Sequence, residues 1–273
     1  FLRFGKNEYN EGLIDKTIEG ISDYCNCIGI PNVGGDLYKS EIYNNNPLLN
    51  VACLGLVKKE NIIYGNALNE NSFLIYVGSK TGKEGVDGAF MASKQFKNLN
   101  DNKLNDLKEN IQTGDPFLEK LLLEACCEIS ELKLLEGMQD MGAGGILCAT
   151  VEVILRGRKK TNKNLGCEIY LDKIPIKYDM DLCDILISES QERMLLIANK
   201  DNVESIFSIF EKWDLEYSII GKVTNNSNYQ VLNNGNEIYN EHIENFDCPN
   251  QNWDLKPFIE NKNINYNFEK IKN

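Results

Sequence analysis

A chain of 273 residues, 42% hydrophobic and 26% charged, has the composition of a globular protein and is long enough for one large domain or two ordinary ones. Its formal net charge of -12 excludes a general nucleic-acid or anionic-membrane binder, which needs clustered Lys and Arg; a small phosphorylated ligand, needing only a local site, stays compatible. No apolar run approaches the roughly 20 residues of a membrane span. Nine scattered cysteines without a Cys-x-x-Cys pair, beside a single histidine, fit reduced thiols in a cytoplasmic protein and speak against structural zinc.

The chain opens on Phe1-Leu2-Arg3-Phe4-Gly5, apolar and without methionine, which reads as a piece of something longer. Apolar residues then recur at helical spacing through Leu13, Ile14, Thr17, Ile18, Ile21, Tyr24, Cys25 and Ile28, until "PNVGGD" (31–36) breaks the pattern. "LLNVACLGLV" (48–57) reads as a buried strand, and the charged, Asn-rich residues 58–72 as a connection. "FLIYVG" (73–78) reads as a strand, 86–96 as a short helix and 97–110 as a loop. The best-signalled helix follows, with Asp115 as N-cap, Pro116 at its first position and Gly137 as its close. A glycine-rich segment leads into a helix over 146–157, a strand over 167–172 and a short helix over 179–187. A strand (193–199), a helix (203–213) and a strand (217–224) come next, then a hairpin over 228–239 around Asn-Asn-Gly. Strands and helices mixed without strict alternation predict an α+β fold. The expected division is 1–68, 69–240 and a polar linker over 241–273.

Four stretches carry candidate chemistry. "GSKTGKEG" (78–85) follows a strand, but only three residues separate its glycine from the Gly-Lys pair. Glu84 then stands where a phosphate loop needs a metal-binding hydroxyl, so the stretch reads as a glycine-rich turn. "GMQDMGAGG" (137–145) places Asp140 before a helix, where it either caps that helix or holds Mg²⁺, while the helix start offers an anion site. Both readings of Asp140 stand open at this point. "SESQER" (188–193) sets Glu189, Ser190 and Gln191 at a strand entry; a carboxylate, a hydroxyl and an amide suit a hydroxyl- and amide-bearing ligand, and an exposed turn is the alternative. Gln112 lies just ahead of the best-capped helix, and His242 reads as a surface residue in a polar tail. No catalytic triad or carboxylate pair stands at a usable spacing.

Taken in order, "FLRFG", "GISDYCNCIGIPNVGGDLY", "NPLLNVACLGLV", "IYVGSKTGKEGVDGAFMAS", "GDPFLEKLLLEAC", "MQDMGAGG", "SESQERMLL" and "IFEKWDLEYSIIGKVT" resemble the large subunit of the bacterial small-type phosphoribosylformylglycinamidine synthases, from Phe1 to about Asn240. The resemblance implies an aminoimidazole ribonucleotide synthetase-like fold. The activity it implies is ATP- and Mg²⁺-dependent conversion of formylglycinamide ribonucleotide (FGAR) to the amidine. Its partners would be a glutaminase subunit that supplies ammonia and a small bridging subunit. It further implies substrate contacts at Gln112, Glu189, Ser190 and Gln191, a magnesium ligand at Asp140, and a glycine turn that approaches phosphate and metal. The family's catalytic histidines and its ATP-binding tyrosine and lysine have no counterpart here and are expected upstream of Phe1. "MGAGG" departs from the family's usual Met-Gly-Ala-Ala-Gly. The other readings are a fragment that only binds, or another ATP-dependent synthetase of the superfamily.

Overall fold

Two β-sheets organise the computed structural model, which describes residues 1–86 and 111–247. In the first, β1 (Leu2–Phe4) pairs parallel with β2 (Leu37–Lys39) and antiparallel with β3 (Leu48–Leu49). The connection from β1 to β2 is α1 (Glu8–Ile28). Asn7 starts this helix by accepting the Asn10 N–H, and Gly29 ends it in the left-handed region. The apolar stripe of α1 is largely unburied, with Ile14 the buried apolar residue and Ile18 exposed. Ile18, Ile21, Tyr24 and Ile28 instead line a cleft of about 1140 Å³, closed opposite by residues 31–37 and 50–53.

The second sheet has seven strands in the order β10-β9-β6-β8-β4-β7-β5. Its strands are β4 (Phe73–Gly78), β5 (Gly137–Asp140), β6 (Gly166–Tyr170), β7 (Arg193–Ala198), β8 (Tyr217–Thr224), β9 (Asn228–Asn233) and β10 (Asn236–His242). All pairs are antiparallel except β6 with β9, which confirms the α+β class. β4 is apolar throughout because both of its faces are covered. Leu74 and Tyr76 join one core with α3 (Gly145–Thr161) and α4 (Leu182–Ile187), through Ile146, Ile154 and Ile185. Ile75 and Val77 join the other with α2 (Pro116–Glu131) and α5 (Val203–Lys212), through Leu122, Ile129, Ile206 and Phe210. β7 alternates the same way, Leu195 and Ile197 against Leu196 and Ala198.

Several sequence expectations are corrected. Of residues 48–57, Leu48 and Leu49 alone are in a strand; Leu54 and Leu56 are 89% and 106% exposed, since among the described residues no strand pairs with residues 51–57. α2 stops at Glu131, with Lys133 turning through positive φ, and Gly137 begins β5. The reading of a linker from Glu241 fails over its first residues. Glu241 and His242 finish β10, and a 3₁₀ turn over Ile243–Phe246 buries Ile243 in the first core. The Asn234-Gly235 turn of the hairpin has both residues at positive φ, as its two-residue loop requires. The helix expected over 86–96, beyond Val86, and the loop over 97–110 lie outside the described residues.

Candidate functional site

β5, the glycine turn and the entry to β7 meet at one end of the large sheet. Asp140 is the last residue of β5 and lies opposite Met194, while the Met141 N–H donates to the Arg193 carbonyl. Asp140 does not cap α3: the N-cap position belongs to Gly144, and the Asp140 carboxylate accepts from Gln139 Nε2 at 2.7 Å. Its side chain is exposed on a cleft of about 1040 Å³ that Gln191, Glu192 and Met141 also line. That cleft and the one beside α1 share Glu119, Gln191 and Glu192.

The anion expected at the start of α3 is a side chain of the protein itself. The Gly144 N–H donates to Glu189 Oε1 at 3.1 Å, and Gln112 Nε2 donates to Glu189 Oε2 at 2.7 Å. Glu189 therefore gathers two segments that the sequence marked separately, about 77 positions apart in the case of Gln112. The glycines of this turn serve a close approach of the chain to itself. At Gly145, φ is +58° and a Cβ would collide with the Ser188 carbonyl, so the turn can lie against the triplet only as glycine.

"SESQER" is not an exposed turn. Ser188, Ser190 and Arg193 are buried. The Ser190 hydroxyl, expected to face a ligand, turns inward: it accepts the Gly82 N–H at 2.9 Å and donates to Glu84 Oε2 at 2.6 Å. Gln191 lies at the cleft, with its Nε2 donating to the Glu189 carbonyl at 2.7 Å. The Arg193 guanidinium clamps the segment from below, donating to the carbonyls of Ser190 (2.7 Å) and Ser188 (2.6 Å) and to Thr81 Oγ1 (3.0 Å). Burial lowers its pKa, with nearby acidic groups opposing.

Glu192 follows at φ +53°, and its carboxylate accepts the Tyr24 hydroxyl of α1 at 2.7 Å, which ties the first sheet's helix to the site. Burial and the Glu192 charge also raise the Glu119 carboxyl nearby. Sequence reasoning missed Thr81, Glu84, Glu192 and Arg193. The available signal was an acidic residue inside "TGKEG", a stretch tested only against the phosphate-loop pattern.

The glycine turn, the triplet and strands β4 to β8 all lie within the 69–232 stretch matched by the family model described as "AIR synthase related protein, C-terminal domain". The chain belongs to the AIR synthase related protein family. The N-terminal domain of that family matches residues 1–57. The phosphoribosylformylglycinamidine synthase subunit PurL of Bartonella bacilliformis is 40% identical over 242 residues, 88% of this chain and 32% of that protein. The chain thus spans about a third of the length of the curated relatives it matches. Among solved structures, Thermotoga maritima PurL complexed with FGAR superposes with a TM-score of 0.77 at 36% identity, over 89% of this chain and 38% of that one. The same protein complexed with ATP (TM-score 0.73, 34% identity) and in PurLQS (0.73, 35%) matches over 89% of this chain and 36% of each. This family member is therefore similar to PurL in sequence and in fold.

The Asp140 carboxylate offers oxygen atoms of the kind a hard cation takes. Its carboxylate is exposed on the cleft, and among the described residues no Lys or Arg pairs with it and no group of three or more His, Cys, Asp or Glu gathers around it. Were Mg²⁺ bound here, Asp140 would be one of the one or two protein carboxylates such an ion takes, with water and phosphate oxygens completing its shell.

Proposed function

We propose that the protein carrying this chain is a formylglycinamidine ribonucleotide synthase, converting FGAR and glutamine-derived ammonia to the amidine at the expense of ATP. Gln112, Glu189 and Gln191 meet FGAR, and Ser190 anchors the triplet between them. The observation that carries this reading is the Gln112–Glu189–Gly144 junction, which joins the triplet to the glycine turn, with Asp140 and Gln191 lining one cleft. Support also comes from the relatives: T. maritima PurL has been solved with FGAR, with ATP and in PurLQS.

In this reading the division into 1–68 and 69–240 separates a synthetase N-terminal-type portion from a C-terminal-type domain. A glutaminase subunit and a small bridging subunit are the partners. Asp140 would hold Mg²⁺, which supplies charge neutralisation to the phosphates of ATP when bound. The residues of this chain do the binding: the Glu189 carboxylate is held between two N–H donors, and Gln191 presents its amide oxygen at the cleft once Nε2 is committed to the Glu189 carbonyl. ATP activates the formyl amide oxygen by phosphorylation, and ammonia then displaces phosphate at that carbon. No general base for the ammonia is assigned within the described residues.

Calorimetric titration of FGAR in the presence of Mg²⁺ tests the proposal. Binding is expected in the wild type and a loss of tenfold or more in Gln191→Ala, the scale of one hydrogen bond to a charged or polar ligand group. A folded wild type that gives no heat would defeat the reading.

A further inference from the structure

Glu84 stands outside the residues that the proposed function uses, yet it is an acidic side chain only 8% exposed. A carboxylate is buried at a cost unless paired and hydrogen-bonded, and the partners Glu84 has are informative. Its Oε1 is paired with the Lys177 ammonium, and its Oε2 accepts the Ser190 hydroxyl at 2.6 Å. Its own carbonyl accepts the Glu189 N–H at 2.7 Å. The next residue, Gly85, has φ +75°, and a Cβ there would collide with the side chain of Glu189. One short turn therefore touches two successive residues of the triplet through a side chain, a carbonyl and a missing Cβ.

The turn is itself braced. The Thr81 N–H donates to the Pro175 carbonyl (2.8 Å), the Lys177 N–H to the Thr81 carbonyl (2.9 Å), and the Lys83 N–H to the Tyr178 hydroxyl (3.0 Å). Thr81 also receives Arg193, the residue that clamps Ser188 and Ser190. Side chain and backbone thus converge on the segment.

Resting on the FGAR reading above, we propose that Glu84 is a positioning residue: through the Ser190 hydroxyl and the Glu189 amide it sets the orientation in which Glu189 and Gln191 receive the substrate. Glu84 does not touch FGAR; it acts through the triplet. Lys177 completes the device by holding the carboxylate in the orientation that reaches Ser190. A site built on a loop needs such a brace, because an unsupported loop side chain samples several rotamers.

The test uses Glu84→Gln in the protein as expressed from its gene, with two measurements. Without ligand, amide hydrogen exchange of residues 188–191 is expected to quicken about tenfold while the protected core of β4 and β7 keeps its wild-type rate. With Mg²⁺, the dissociation constant for FGAR is expected to rise about tenfold, the scale of one charge-assisted hydrogen bond. Unchanged exchange, or quickened exchange with unchanged FGAR affinity, overturns the proposal. Should Glu84→Gln fail to fold, Lys177→Met takes away the ammonium partner of Glu84 at a position whose own side chain is 36% exposed, and should give the same two shifts at smaller size; no shift overturns it. A folded wild type that binds no FGAR would defeat the functional reading by itself, leaving the exchange measurement to decide the positioning role.

Discussion

The Glu84 carboxylate shows how one residue's environment sets a sign. Burial acts to raise its pKa, but the hydrogen bonds from Lys177 and Ser190 outweigh it and hold the group below the usual carboxylate range. A folded-state pKa below the unfolded one means that the unfolded chain binds the proton more readily. The stability Glu84 contributes is therefore fully present above the ordinary Glu value of about 4.3 and is lost as pH falls through its lowered folded value. Urea midpoints of wild type and Glu84→Gln should differ most at neutral pH and converge below about pH 4. A gap that widened on acidification would contradict this assignment. Arg193 is the counterpart below the triplet: a buried guanidinium satisfied by two carbonyls and a hydroxyl, with its length spent on backbone. Neither role was legible in the sequence. "TGKEG" and "SESQER" lie more than 100 positions apart, and nothing in either states that they face each other.

At the scale of elements, local signals were reliable where the deciding contacts are local. Asp115 accepts the N–H groups of Phe117 and Leu118 at 3.1 and 3.0 Å, as its place before Pro116 predicts. Asp115→Ala should cost about 1 kcal/mol, the common value for losing an N-cap, and chemical denaturation should read it directly. Asn7 and the Asn234-Gly235 turn belong to the same class. Asp140 shows the limit. Its place before a helix favoured a cap as much as a ligand, and three-dimensional placement removes the cap: Asp140 ends β5, and Gly144 occupies the N-cap position. The segment over 48–57 failed for a related reason. An apolar run states that burial would be favourable but not that a facing layer exists, and among the described residues it has none.

Across the whole molecule, apolar surface is distributed unevenly. The central strands β4 and β7 of the large sheet are covered on both faces, whereas Val51, Leu54, Leu56 and Val57 stand in solvent. Two substitutions expose the contrast. Ile154→Ala, in the core under α3, should cost about 2–5 kcal/mol through lost burial and the cavity left behind. Leu56→Glu should leave stability within about 0.5 kcal/mol of wild type, since no packing is removed. Urea unfolding of the two variants side by side checks both. The Tyr24–Glu192 hydrogen bond is the other whole-molecule feature, linking a helix of the first sheet to the residue next to Gln191.

The α+β class, most strands and helices of the large sheet, and the segments of the candidate site are legible in the linear order of residues. That order also pointed to the family, because eight motifs in order constrain a resemblance far more than any one of them. Hydrophobic period, caps and turn residues act within a few positions, so a linear reading recovers them. Which of the marked residues meet is a property of the folded chain. Folding joined Gln112 to Glu189, filled the start of α3 with that carboxylate, turned the Ser190 hydroxyl inward and brought Glu84 beneath the triplet. Those outcomes depend on contacts between segments separated by about 45 to 110 positions, where strand order and register, not local propensity, set the distances.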